Sequence, residues 1–320
     1  FVLGALSSGM LLYGASLVYG FTGTVSFPGI ATALHGNAQI GLILGIAVLS
    51  AGHCFKMSAA PFHMWTPDVY EGAPTPVTAF FASAPKAAAI AMTVRLFVGA
   101  FPSVTDSWQQ IIIFVSILSM ALGAFAALGQ TNIKRLMAYS SIGNMGYALI
   151  GLATGTPEGV QGIIIYMAIY LAMTLGTFAI IIGMRRGDQY VETIADLSGA
   201  AQTHPWRAFA LAMMMFSLAG IPPLAGFFSK FYVFSAAIQT AQTSLVVLAV
   251  IGVVTSVIGA YYYIRLVKIM YFDEPKPAFE SMPEGAKAVL VVCSIVVCLF
   301  WVLPSPLVTS AAQAARSLFV

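Results

Sequence analysis

Long apolar runs, separated by short segments of proline, glycine and scattered charge, make up almost the whole chain. A helix that crosses the hydrocarbon core of a bilayer takes about 20 mostly apolar residues. Nine runs suit that role: 1–20, 38–65, 76–100, 109–128, 136–155, 162–184, 206–239, 244–271 and 287–309. Between them stand helix-ending residues, such as Gly23 and Pro28, Pro67 to Pro76, Pro102 to Asp106, and Pro275 with Pro277. Strict alternation of apolar and polar positions is almost absent, which argues against an outer-membrane barrel. The pattern predicts an all-α, polytopic transmembrane helical bundle, a single domain over 1–320 with about nine helices.

Composition sharpens this. Hydrophobic residues make up 59% and charged residues 8% of the 320 positions. A soluble domain carries roughly 25% charged residues, so a soluble enzyme and a disordered chain are excluded. The net charge of +3 comes from thinly spread groups, and no basic stripe is available to hold a nucleic acid. Cys54, Cys293 and Cys298 lie in apolar runs without ligand-like spacing, so no disulfide framework or metal site is expected. The first run starts at Phe1 with no basic segment before it, unlike a secretory signal. It reads as the continuation of a longer protein whose earlier helices precede Phe1.

If successive helices alternate in direction, Lys134, Arg135, Arg185, Arg186, Arg207, Arg265, Lys268, Lys276 and Lys287 fall on one side. The opposite loops, at 21–37, 101–108, 156–161 and 240–243, contain no Lys or Arg. The bias places the first side in the cytoplasm or matrix and the C-terminal tail outside.

Three lysines lie inside the runs: Lys56, Lys86 and Lys230. A lysine at the centre of a membrane helix costs about 2.5–3.5 kcal/mol on the insertion scale, so each needs a partner or a use. One reading is snorkelling or a structural ion pair. The other is proton transfer, which suits lysine because a desolvated ammonium can release and recapture its proton, whereas guanidinium stays protonated. Lys86 sits near the middle of its run, where snorkelling reaches least; Lys56 is nearer an end. Arg95 reads as an interfacial anchor.

Two runs are too long for a straight crossing. Residues 206–239 would extend about 51 Å at 1.5 Å per residue, against a core of about 30 Å. The excess coincides with Gly220, Pro222, Pro223 and Gly226 in SLAGIPPLAGFFSKF; Pro61 similarly interrupts 38–65 in FKMSAAPFHMWTPD. Interrupted helices in two halves of a chain point to an inverted-repeat transporter with its site at the breaks, although a proline kink alone is common. Lys56 and Lys230 each lie within a few residues of a break. Tyr139, Ser140, Ser141, Asn144 and Tyr147 on one helix, and Tyr166, Tyr170, Thr174 and Thr177 on the next, are spaced to hold water between ionisable groups or to join helices in lipid. His53 and His63 flank Lys56, and His63 stands where it could carry protons near the cytoplasmic opening, or simply pack. The loop TPDVYEGAPTP (66–76) reads as rigid and non-helical, with Asp68 and Glu71 either capping the next helix or pairing with a neighbouring subunit, the cap being favoured.

The segments FKMSAAPFHMWTPDVYEGAPTPVTAFFASAPKAAAI (55–90), GQTNIKRLMAYSSIGNMGY (129–147) and SLAGIPPLAGFFSKFYVF (217–234) together resemble the antiporter-like membrane subunits of respiratory complex I, the proton-pumping NADH:quinone oxidoreductase. Among these the likeness is greatest to the subunit N branch, the homologues of mitochondrial subunit 2. It covers essentially the whole chain, from the sixth of that family's fourteen helices to the last. The resemblance implies that Lys56, Lys86 and Lys230 are the proton-translocating lysines of the broken seventh, the eighth and the broken twelfth helix. It implies a translocase subunit without redox chemistry of its own: no cofactor in this chain, with FMN and iron–sulfur clusters in partner subunits. Its partners would be a neighbouring antiporter-like subunit, small membrane subunits and lipids, in a bacterial inner (plasma) membrane rather than a mitochondrial one. Two departures stand out. The family's pairing glutamate on the fifth helix would lie upstream of Phe1, and 162–184 holds no Lys or His, so a relay between Lys86 and Lys230 must use water and hydroxyls. Competing readings are a subunit of a multisubunit sodium/proton antiporter and a purely structural membrane subunit.

Overall fold

A computed structural model of the chain describes residues 1–34, 39–187 and 189–319; Ala38, at the edge of the second apolar run, lies outside them. The described residues form α1 (Val2–Thr22), α2 (Phe27–Ala33), α3 (Ile40–Met57), α4 (Trp65–Gly72), α5 (Thr75–Ala82), α6 (Ala84–Ala100), α7 (Thr105–Ala127), α8 (Ile133–Ala153), α9 (Pro157–Ile182), α10 (Ala200–Thr203), α11 (Pro205–Ala219), α12 (Ala225–Gln239), α13 (Thr243–Phe272), α14 (Glu284–Leu299) and α15 (Ser305–Arg316). A two-residue antiparallel pair, β1 (Arg185–Arg186) and β2 (Gln189–Tyr190), follows α9. Among the described residues, six segments are long and apolar enough to cross a membrane: α1, α3, α5 with α6, the stretch from Pro102 through α7, α9 and α13. The other expected runs correspond to the more polar α8, the divided pair α11 and α12, and the 16-residue α14.

α8 and α9 form the centre. Within α8 only Arg135 and Tyr139 escape full burial, and α9 packs against α8, α11, α12, α14 and α15. The approach of α7 to α8 is close enough to demand glycine, because a Cβ on Gly123 would lie 2.6 Å from Gly143 N. Small residues at helix contacts are how membrane bundles gain packing without a hydrophobic drive between helices.

Both predicted breaks are present. α3 ends at Ser58, whose φ is +64°, and the chain turns through 58–64 before α4. α11 ends at Gly220, with φ +91°, before α12 begins. Three readings need correction. The segment 66–76 is not a non-helical loop: Trp65–Gly72 is helical, because Pro67 occupies the third helical position, where a missing N–H costs nothing. The run 76–100 is not one helix but α5 and α6, separated at Ser83 (φ −118°, ψ −86°) just before Pro85. The run 287–309 likewise divides, α14 ending at Leu299 and α15 following Pro304.

The basic residues predicted to share one side are held by ion pairs, backbone carbonyls and one aromatic ring. Arg135 pairs with Asp68 at 2.6 Å and Glu71 at 2.9 Å, and neither acid caps α5. Lys134 pairs with Glu192 at 2.6 Å, and Asp196 takes both Arg186 (3.1 Å) and Lys276 (3.3 Å). Arg207 donates to Glu280 O and Arg265 to Leu128 O, while Arg185 lies over the Tyr190 ring. Lys268 pairs with Asp273 and Lys287 with Glu284.

Candidate functional site

The second break builds a site for Lys230. A helix leaves its last carbonyls without intrahelical partners, and its C-terminus carries partial negative charge. α11 ends in this way at Ala219, and the Lys230 ammonium, from α12, donates to Leu218 O (3.1 Å) and Ala219 O (3.0 Å). Its third donor goes to Ser256 Oγ of α13 at 2.6 Å, and the Tyr147 ring lies 4.8 Å from Nζ. Gly220 makes the approach possible, since a Cβ there would lie 3.2 Å from Lys230 Cδ. The start of α12 is fixed by Gly226 N donating to Ser217 Oγ at 2.9 Å.

Lys86 lies in the first turn of α6, beside the break at Ser83, and is 1% exposed. Its ammonium donates to Ser141 Oγ of α8 at 2.5 Å and stands 5.4 Å from the Tyr70 ring centre. Ser141 shares a 2.6 Å hydrogen bond with Tyr170 of α9, whose hydroxyl also donates to Ala82 O, the last carbonyl of α5. Each of these two lysines therefore occupies a helix break whose freed carbonyls are engaged by the same cluster.

Between them lies a set of buried hydroxyls. Ser140 and Tyr263 are joined at 2.6 Å, Asn144 Nδ2 donates to Ser140 O, and Tyr166 donates to Asn144 Oδ1 at 2.7 Å. Tyr147 donates to Thr255 Oγ1 at 3.3 Å. The structure thus brings together Lys86, Lys230, Ser140, Ser141, Asn144, Tyr166 and Tyr170. Thr174 is buried, with its hydroxyl unpartnered among the described residues. Tyr139 is half-buried and hydrogen-bonds to none of this cluster among the described residues. His63 is half-buried with Nδ1 unpartnered, and Pro61 is exposed at the first break. Lys56 differs from the other two lysines: it is exposed on the chain and makes no ion pair among the described residues. At the second break Pro222 and Pro223 are exposed and Gly220 is half-buried.

Sequence reading overlooked the contribution of α13, which supplies Thr255, Ser256 and Tyr263. A signal was available: Thr255, Gly259 and Tyr263 recur at four-residue steps, giving this apolar helix one small and polar stripe. Among the described residues, no three His, Cys, Asp or Glu side chains come together as a metal-holding group.

The family described as NADH:quinone oxidoreductase/Mrp antiporter, TM, matches residues 1–259, most of the chain. The chain belongs to this family. A relative named NADH-quinone oxidoreductase subunit N, from Methylobacterium nodulans, is 72% identical over 320 residues, covering 100% of this chain and 66% of that protein. The chain thus spans about two thirds of the length of such relatives. A chain of respiratory complex I from Thermus thermophilus, solved with bound aureothin, superposes with a TM-score of 0.82 at 33% identity, covering 97% of this chain and 67% of that one. A chain of the Mrp complex from Dietzia reaches a TM-score of 0.85 at 24% identity, covering 99% of this chain and 67% of its own, which shows a shared fold. Membership in the NADH:quinone oxidoreductase/Mrp antiporter family agrees with the antiporter-like bundle and the helix breaks after Met57 and Ala219.

Proposed function

We propose that the protein carrying this chain is a proton-translocating membrane subunit of NADH:quinone oxidoreductase, in which Lys86 and Lys230 exchange protons through the hydroxyls between them. The observation that carries this reading is the placement of both ammonium groups, deeply buried, without a carboxylate partner among the described residues, and linked to hydroxyls of the central helices. An ammonium needed only for stability would be expected to have an anion, since an uncompensated buried charge is costly. The relative at 72% identity, named NADH-quinone oxidoreductase subunit N, supports this assembly over a stand-alone antiporter. Redox chemistry would belong to partner subunits holding FMN and iron–sulfur clusters; this chain would contribute the proton route. Its membrane would be the bacterial inner membrane, and its neighbours another antiporter-like subunit and small membrane subunits. Lys56, exposed on this chain, would meet its partner outside the described residues.

The test is to tag the full-length protein, extract it in mild detergent, and assay NADH–quinone reductase activity and its sensitivity to a quinone-site inhibitor. Co-purifying activity is the expected result. Lys230→Ala should then abolish NADH-driven proton uptake in membrane vesicles; undiminished uptake would refute the role. A preparation free of that activity, yet exchanging sodium for protons in vesicles, would favour the antiporter reading that the family also includes.

A further inference from the structure

Lys230 and Ser256 line two spaces at once. On one side is a groove of about 490 Å³, open to the surface of the chain and walled by apolar residues such as Phe231 and Val257. On the other is a small cavity of about 10 Å³, lined by Ser140, Asn144, Gly259 and Tyr263 as well as by Lys230 and Ser256. A water needs roughly 10–15 Å³ of such space and two to four polar partners. This cavity is therefore the size of one water, and hydroxyl, amide and ammonium groups lie in its lining beside Met120, Ala124 and Leu218. It also lies where the hydrogen-bonded path is interrupted: Ser140 and Tyr263 bond each other, Lys230 bonds Ser256, and the cavity separates the two pairs.

We propose that a single water occupies this cavity and that Ser256 passes protons between Lys230 and that water. The proposal rests on the proton-translocating reading and specifies its route at one junction. The step is balanced. An N–H bond of the Lys230 ammonium breaks as an O–H bond to Ser256 Oγ forms. The hydroxyl's own proton leaves for the water, giving a neutral amine, an unchanged serine and a hydronium held by Ser140, Asn144 and Tyr263; the reverse reloads Lys230. The 2.6 Å hydrogen bond from Lys230 to Ser256 is already in place. The serine proton now rests on Ala219 O in a long, weak bond of 3.3 Å, which a rotation of the hydroxyl toward the cavity releases.

Gly259 offers a test that removes no polar group. The atoms nearest a Cβ there would be Tyr262 Oη at 3.5 Å and its ring carbons at 3.6 and 3.8 Å, which is ordinary contact. Gly259→Ala should therefore be accommodated and favour the helix, while its methyl takes the space of the water. Proton uptake driven by NADH is measured in vesicles, normalised to assembled complex on native gels, for Gly259→Ala, Ser256→Ala, Ser256→Thr and Lys230→Ala. Expected are roughly tenfold or larger losses in Gly259→Ala and Ser256→Ala, with uptake restored in Ser256→Thr, which keeps the hydroxyl. The residual uptake of Ser256→Ala should also show a larger H₂O/D₂O rate ratio than the parent. Wild-type uptake in Gly259→Ala or Ser256→Ala, alongside a dead Lys230→Ala, overturns this junction while leaving the wider reading intact. So does an unrestored Ser256→Thr. Normal uptake in Lys230→Ala defeats the wider reading itself.

Discussion

Lys230 and Lys86 show how a polar side chain is accommodated at membrane depth without a counter-ion. At Lys230 two helix-terminal carbonyls and a serine take all three ammonium donors, an arrangement that a continuous helix would not provide. Gly220 is the residue on which this depends, through its φ of +91° and the contact a Cβ would make with Lys230. Gly220→Ala should cost about 1–2 kcal/mol from the left-handed backbone alone. It should also push the lysine away from the α11 carbonyls. The expected outcome is a lower melting temperature of the purified protein together with weaker proton uptake. An unchanged melting temperature would mean that the break relaxes to accept the side chain. At Lys134 the solution is different, a buried ion pair. Its side chain is 3% exposed against Glu192 at 23%, and it also donates to Ala73 O. Removing one partner of a buried pair costs about 3–5 kcal/mol; with Glu192 partly exposed, Glu192→Gln should cost about half of that. Chemical denaturation of the detergent-solubilised protein would measure it.

At the scale of elements, the breaks near 58–64 and 220–224 could be read from the sequence because proline and glycine interrupt runs too long to cross once. The break at Ser83 could not, because a run of ordinary spanning length gave no reason to divide it, and Pro85 alone is compatible with a kink. The hydroxyls of α8 and α9 were visible as polar positions in apolar runs, yet only packing reveals that Tyr139 turns away while Ser140 and Ser141 face different partners. The role of α13 was hidden for a related reason: most of its surface is apolar and outward, so its three useful hydroxyls are a minority signal. Asp68 and Glu71 were misread because their partner, Arg135, lies more than sixty residues away. The connection between α9 and α11 is held on the basic side through Asp196. Burial raises that carboxyl's pKa, but the Thr193 hydroxyl, Lys276 and Arg186 outweigh it and hold the group below its ordinary value of 3.8. Because the folded value is the lower one, the stabilisation is present above the unfolded value, about pH 4. It is lost as the pH falls through the folded value. Asp196→Asn should therefore lower the melting temperature at pH 7, and the difference from the parent should shrink below about pH 4. A difference independent of pH would leave the carboxylate's charge without a part in holding the connection.

At the scale of the whole molecule, α8 and α9 stand between the two lysine sites and supply most of the groups that link them. Lys86 reaches this centre through Ser141, and Lys230 faces it across the small cavity beside Ser140 and Tyr263. If protons pass through both sites in series, either substitution alone blocks the path, and a second one has little left to remove. Losses from residues that act as a unit are strongly non-additive in this way. Two parallel routes would instead give losses that combine, as independent sites do. The measurement is NADH-driven proton uptake in vesicles for Lys86→Ala, Lys230→Ala and the double variant, each normalised to assembled complex. A double variant no slower than the more damaged single variant is the result that a series path requires. If the singles each retain part of the uptake and the double loses the product of their effects, the two lysines serve separate routes. The hydroxyls between them would then be packing contacts of the two central helices.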